Sequence, residues 1–207
     1  MIKMENSKDS LNRKVASALK EAERTCIPIE PISKTYPELK IKDAYEVQRI
    51  NVNELLASGN KITGKKIGLT SLAMQQFIGV DQPDYGQLFD FMEVKNGILE
   101  RSRYLNPKVE GEIAFVLKKD LQGPNVTAKD VMEATDYVLA SIEVVDSRIK
   151  DWKIGIVDTV ADNASSAMYV IGNKKVDPNS INLKAVSMGL YKNGEKVLSG
   201  VGADVLG

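Results

Sequence analysis

The sequence predicts an α+β fold, with a helical N-terminal region over residues 1–60 and a β-rich core over residues 61–207. Three observations carry this. Residues 8–24 place Leu11, Val15, Ala16, Leu19 and Ala22 at helical spacing between Lys and Glu residues. After Lys61 the helical period largely gives way to short runs of β-type composition. Two Asn-Gly pairs, at 96–97 and 193–194, are the dipeptide that favours tight hairpins. A length of 207 residues allows one domain with a sizeable core, and 43% hydrophobic with 27% charged residues is ordinary for a globular chain.

Taken in order, the first helix ends before CIPIEPISKTYPEL, where Pro28, Pro31 and Pro37 mark a connecting loop. A second helix is expected from about Lys42 to Ser58, with Asp43 in its first turn and Gly59 after its end. Neither helix carries a convergent polar cluster, so both are assigned to packing or subunit contact. Lys61–Leu69, KITGKKIGL, reads as a strand, and Thr70 or Ser71 can cap a short helix through Ile78. GVDQPDYGQLF is turn-forming, with Pro83 and Gly86 around Asp84. Asn96-Gly97 suggests a hairpin leading to the strand KVEGEIAFVL, residues 108–117. Thr127-Ala128-Lys129-Asp130 resembles a helix start, and that helix is expected to reach about Tyr137. VLASIEVVD (138–146) and AMYVIG (167–172) read as strands, and LKAVSMGLYKNGEKVLSG as a hairpin about Asn193-Gly194. There are no internal repeats or low-complexity tracts.

Composition excludes several chemistries. The chain has no histidine, which removes His-based triads, imidazole zinc sites and the usual neutral-pH proton shuttle. Acid–base work then falls to carboxylates, Lys, Tyr, Ser or metal-bound water. The single Cys26 rules out an internal disulfide and a thiolate metal cluster, and fits a reducing cytoplasm. Lys plus Arg and Asp plus Glu both total 28, and neither a basic stripe nor an aromatic ladder marks a nucleic-acid partner. No apolar run is long enough to span a bilayer, and MIKMENSKDS is too polar for a signal peptide.

The most informative stretch is KVEGEIAFVL. As a strand it points Val109, Gly111, Ile113 and Phe115 one way, and Glu110 and Glu112 the other, with Ala114 and Val116 continuing that second face inward. Same-face neighbours on a strand lie about 6.5–7 Å apart, so the two carboxylates repel unless solvated or bridged by a hard divalent cation. An edge strand with a solvated Glu pair is the plain alternative. Glu143, in mid-strand among β-branched neighbours, needs a partner: a shared cation as third ligand, or an ion pair with Arg148. Lys66 taken alone is a surface lysine, and Asp84 a turn stabiliser. In the polar stretch DSRIKDWKIGIVDTVADNASS, Asp162, Asn163, Ser165 and Ser166 can hydrogen-bond a small polar ligand or form an Asx or Ser turn.

GKKIGLTS, GVDQPDYG, KVEGEIAFVL, IEVVDSR, DWKI and DTVADNASS, in this order, closely resemble the hydratase/decarboxylase branch of the fumarylacetoacetate hydrolase superfamily. The resemblance covers about the whole chain. It implies a mixed, mostly β roll or barrel behind a helical N-terminal region, assembled as a homo-oligomer. It implies a metal triad at Glu110, Glu112 and Glu143 holding Mg²⁺ or Mn²⁺, with Lys66 and Asp84 as catalytic groups. The hydroxyl of the ADNASS segment, as substrate binder, falls at Ser165, with Ser166 the alternative. Family members continue past GVGADVLG through a further helix and closing strands, so residues 61–207 are expected to be a catalytic core truncated at its C-terminus. The activity implied is metal-dependent addition of water to 2-hydroxypenta-2,4-dienoate (2-oxopent-4-enoate), a small 2-oxo acid of aromatic degradation. Decarboxylation of 2-oxo-3-hexenedioate is the nearest alternative, and a non-catalytic subunit docked on a partner enzyme the next.

Overall fold

A computed structural model describes residues 2–205, in which two long helices and a short third share one apolar core and the strands form three small antiparallel sheets. Helix α1 (Ile2–Thr25) buries Val15, Ala16, Leu19 and Ala22, the stripe expected from the spacing. It stops at Cys26, whose φ of 53° leaves the helical region, shortly before Pro28. A single turn, α2 (Ile32–Thr35), lies in the connecting loop. Helix α3 (Ile41–Ala57) is started by Asp43, whose carboxylate accepts from the Lys40 N–H at 3.0 Å and from Lys8 Nζ at 2.8 Å. Gly59, at φ +93°, supplies the left-handed residue just beyond its end.

The core of this layer is not confined to the N-terminal region. Val15, Leu19, Ile32, Ala44 and Val47 pack with Ile149, Val160 and Ala161, the last two from helix α6 (Ile156–Ala161). Asp158 anchors α6 by accepting from the Gly155 N–H at 2.8 Å, and holds α2 through the Ser33 N–H (3.0 Å) and hydroxyl (2.6 Å). Each fully buried aliphatic side chain here is worth about 1.5–3 kcal/mol relative to exposure.

The strands fall into three sheets. β1 (Ile62–Gly68) pairs antiparallel with β2 (Asp84–Phe89), so the segment expected to be only a turn becomes a strand directly after Pro83. β3 (Lys108–Leu117), β4 (Thr135–Val145) and β5 (Ser166–Ile171) form an antiparallel sheet in that order. β6 (Ser187–Lys192) and β7 (Glu195–Val201) form the expected hairpin around Asn193 and Gly194. Between them, α4 (Leu72–Ile78) is capped by Ser71 Oγ, and α5 (Ala128–Ala134) by the Thr127 hydroxyl. Among the described residues the strands do not join into one closed sheet. β6 packs closely on β3: a Cβ on Gly111 would lie 1.8 Å from Met188 Sδ.

Two expectations are corrected. Asn96-Gly97 is a bend in the segment between β2 and β3, which are not paired, so the favoured dipeptide has no facing strands to join. Helix α5 ends at Ala134 rather than near Tyr137, because Thr135, Tyr137 and Val138 are β-type residues and pair with Leu117, Val116 and Phe115. Leu206 and Gly207, at the end of the GVGADVLG segment, lie outside the described residues. No helix among the described residues is long and apolar enough to cross a membrane.

Candidate functional site

The alternation of β3 puts Glu110 and Glu112 on one face, and antiparallel pairing sets Glu143 of β4 directly opposite Glu110. On the far side of Glu143 stands Tyr169 of β5, whose hydroxyl lies 3.1 Å from Thr63 Oγ1 of β1. One oxygen from each of Glu110, Glu112 and Glu143 lies within 4.8 Å of the others. Like charges directly across a ladder destabilise it, so this pairing is costly without a counter-charge. Glu143 is buried, and burial pushes its carboxyl up, with Lys66 opposing and Glu110 and Asp84 adding to the rise. Glu112 keeps an exposed edge, yet its crowded carboxyl is pushed up to about 7, by burial first and then by the charges of Glu143 and Glu110.

Glu143 has Lys66, not Arg148, beside it: Lys66 Nζ lies 3.0 Å from Glu143 Oε1. The approach is off-axis, so that oxygen still lacks a hydrogen-bond donor. The Lys66 amine donates instead to the Ala164 carbonyl at 2.8 Å. Arg148, the alternative partner read from the sequence, is used elsewhere and forms a buried ion pair with Asp162. Arg148 lies beyond the end of β4 at Val145, on a segment bonded to Asp162 and Ser166.

Asp84 opens β2 opposite Gly68 and is 3% exposed. Its Oδ2 accepts from the Thr159 hydroxyl at 2.8 Å, while Oδ1 has no partner. A Cβ on Gly68 would sit 2.2 Å from Asp84 Oδ1 and 3.4 Å from Lys66 Nζ, so Lys66 and Asp84 flank one small space that glycine keeps open. Ser165 and Ser166 are both buried, but Ser166 Oγ accepts from Asn163 Nδ2 at 2.7 Å, whereas Ser165 Oγ is unpartnered. The structure therefore gathers Glu110, Glu112, Glu143 and Lys66, and sets Asp84 next to Lys66. Thr159, Gly68 and the Ala164 carbonyl also shape the site and were not read from the sequence. A backbone carbonyl carries no residue signature, and nothing in DTVAD marks Thr159 as the partner of a residue on β2.

No family model matches the chain. It is 47% identical over 192 residues to 2-hydroxyhexa-2,4-dienoate hydratase of Comamonas testosteroni, covering 91% of this chain and 73% of that protein. It is 45% identical over 193 residues to 2-keto-4-pentenoate hydratase of Paraburkholderia xenovorans strain LB400, covering 93% and 72%. The chain belongs to the hydratase/decarboxylase branch of the fumarylacetoacetate hydrolase superfamily. A solved structure from this branch, 4-oxalocrotonate decarboxylase from Pseudomonas putida G7 complexed with magnesium and adipate, superposes with a TM-score of 0.91 at 38% identity. It covers 96% of this chain and 76% of that one. The same enzyme complexed with calcium and acetate gives 0.89 at 37%.

The residues of this branch member fit a divalent cation on their own chemistry. Oxygens bound to one Mg²⁺ at about 2.1 Å lie within about 4.2 Å of each other, and around Ca²⁺ at about 2.4 Å within about 4.8 Å. The three glutamate oxygens lie within 4.8 Å of one another, inside the wider of these limits, and all their donors are hard oxygens. The buried Glu143 Oε1 has the Lys66 ammonium beside it but no hydrogen bond in good geometry.

Proposed function

We propose that this chain is a metal-dependent hydratase that adds water to 2-hydroxypenta-2,4-dienoate to give 4-hydroxy-2-oxopentanoate. The observation that carries the reading is the meeting of three carboxylate oxygens from two adjacent strands beside Lys66, in a chain 47% identical to a dienoate hydratase. Glu110, Glu112 and Glu143 would hold Mg²⁺ or Mn²⁺. When bound, that cation supplies Lewis acidity toward the carboxylate and 2-oxygen of the substrate. Residues 61–207 then act as the catalytic core and residues 1–60 as a packing layer, with the chain assembled as a homo-oligomer.

The proton traffic falls to this chain's own side chains. The 2-hydroxyl loses a proton and C5 gains one, which converts the dienol to a 2-oxo-3-enoate. Water then adds at C4 while C3 is protonated, so the net change is one water gained. Lys66 and Asp84 flank the same small space and are the groups that hold and pass these protons, each worth ~10²–10⁴ in rate when well placed. Lys66 also offsets the negative charge of a 2-oxo acid brought to a carboxylate-rich site. Gly68 leaves room for Asp84 Oδ1 beside it, and the unpartnered Ser165 hydroxyl binds substrate or orders the water.

A second reading, decarboxylation of 2-oxo-3-hexenedioate, is favoured by the match to the decarboxylase structure. The test is to supply each compound with Mg²⁺, follow loss of the dienol absorbance, and trap CO₂. The hydratase reading predicts turnover of the dienoate without CO₂. CO₂ release from the diacid with no hydration would replace it with the second reading, and no turnover of either would overturn both.

A further inference from the structure

Asn163, Ala164 and Ser165 have φ values of 53°, 53° and 51°, three successive non-glycine residues in the left-handed region. Such a run persists only where the surroundings hold it. Two clamps do so. Arg148 donates through Nε to Asp162 Oδ1, through Nη2 to the Asp162 carbonyl (2.7 Å) and through Nη1 to the Ser166 carbonyl (3.0 Å). Its backbone N–H adds a bond to Asp162 Oδ2 at 3.0 Å, so one guanidinium brackets the turn at both ends. On the other side the Asn163 amide mimics a strand neighbour for β2, accepting from the Gln87 N–H at 2.8 Å and donating to its carbonyl at 2.9 Å. Gly86 lets β2 press on the turn, since a Cβ there would lie 2.3 Å from the Asn163 carbonyl oxygen.

The clamped turn presents the Ala164 carbonyl to Lys66 Nζ and leaves the Ser165 hydroxyl buried without a partner. The other polar contact of the amine is Glu143 Oε1. The amine is thus shared between the Ala164 carbonyl at 2.8 Å and that carboxylate at 3.0 Å. With the carbonyl withdrawn, Glu143 is its one remaining polar contact of these two and holds it away from the substrate. A buried ion pair such as Arg148–Asp162 is weak evidence for a stabilising role, because a well-packed apolar pair does as well. Its geometry is the better reason for its presence.

We infer that Arg148, through Asp162, and Asn163, through Gln87, are positioning residues that hold turn 163–165 so that Ala164 keeps Lys66 poised; this rests on the role given to Lys66 above. The test uses Arg148→Lys, which keeps the charge and loses the fork, and Asn163→Ala, each alone and combined with Ala164→Gly. Glycine adopts a positive φ without penalty and relieves the need for the clamps. Acylation of Lys66 is measured by mass spectrometry relative to the exposed Lys95 in cation-free protein, alongside melting temperature. Turnover of the dienoate with Mg²⁺ gives kcat and KM. The inference predicts slower Lys66 acylation and a kcat lowered roughly tenfold to hundredfold with little change in KM. Both return toward wild type in the Ala164→Gly double variants. A folded Arg148→Lys or Asn163→Ala variant with wild-type acylation and kcat overturns it. So does restoration of melting temperature by Ala164→Gly without restoration of acylation and kcat. Should Arg148→Lys fail to fold, Asn163→Ala decides by the same criteria. Should the wild-type protein not hydrate the dienoate, the functional reading falls, while the acylation comparison still decides the role of the turn.

Discussion

In the helical layer the buried carboxylates are satisfied: Asp43 takes Lys8 and the Lys40 N–H, and Asp158 takes Ser33 and the Gly155 N–H. In the sheet-built site the buried carboxylates are not: Asp84 Oδ1 has no partner, and Glu143 Oε1 has only the Lys66 ammonium, 3.0 Å away and outside hydrogen-bond geometry. The unpartnered buried oxygens of the helical layer, Asn12 Oδ1 and Asn51 Oδ1, belong instead to uncharged amides. Leaving a buried polar group unpaired costs about 1–3 kcal/mol, more for a charged one. The two regions therefore do different work. Apolar packing of α1, α3 and α6 around Val47 and Val160 supplies stability, and the strands spend some of it to hold polar atoms ready for a ligand.

The largest separation of the two regions comes from substitution in each. Glu143→Gln, which removes one of the groups that would hold the cation, should lower kcat by at least ~10²-fold in a Mg²⁺-supplemented assay. The melting temperature of the cation-free protein should hold or rise, because one of three crowded carboxylates is removed while Glu112 and Glu110 remain to balance Lys66. Leu19→Ala, in the buried stripe of α1, should do the opposite: about 3 kcal/mol less stability by urea unfolding, with kcat/KM of the folded enzyme unchanged. A Glu143 variant that loses stability instead of activity would merge the two regions.

The next effect depends on pH. In cation-free protein the carboxyl of Glu112 is raised to about 7 from 4.5, and that of Glu143 is raised as well. A carboxyl raised on folding contributes stability below its unfolded value and loses it as pH rises through its folded value. The site thus weakens the fold between about pH 4.5 and 7, and cation binding opposes that loss where both groups are ionised. The rise in melting temperature on adding Mg²⁺ should be larger at pH 8 than at pH 5; an equal rise at both would contradict this. The smallest effect belongs to the exposed Lys20–Glu54 pair between α1 and α3, where Lys20→Ala should change stability by about 0.5 kcal/mol or less in the same unfolding assay.

What was readable in the sequence follows from which forces are local. The period of two in KVEGEIAFVL put Glu110 and Glu112 on one face, and a carboxylate among β-branched neighbours singled out Glu143, because burial and alternation are written along one strand. The cap at Thr127 was legible because a cap side chain bonds a backbone N–H only a few residues on. Of Thr70 and Ser71, both open in the sequence, the structure uses Ser71. The partner of Glu143 was not. Arg148 is near in sequence, but the turn after β4 carries it to Asp162, and Lys66 arrives from another sheet. The left-handed run at 163–165 was also hidden, since of its residues only Asn163 tolerates that conformation readily. Asn96-Gly97 misled for the converse reason: a local signal without strands to join.

Isothermal titration of the cation-free protein with Mg²⁺ at pH 8, repeated on Glu143→Gln, tests most directly whether the three glutamates meet at one ion. One ion should bind per chain in the wild type, with affinity lost or sharply reduced in the variant. Absence of binding in the wild type, or equal binding in both, would contradict the account.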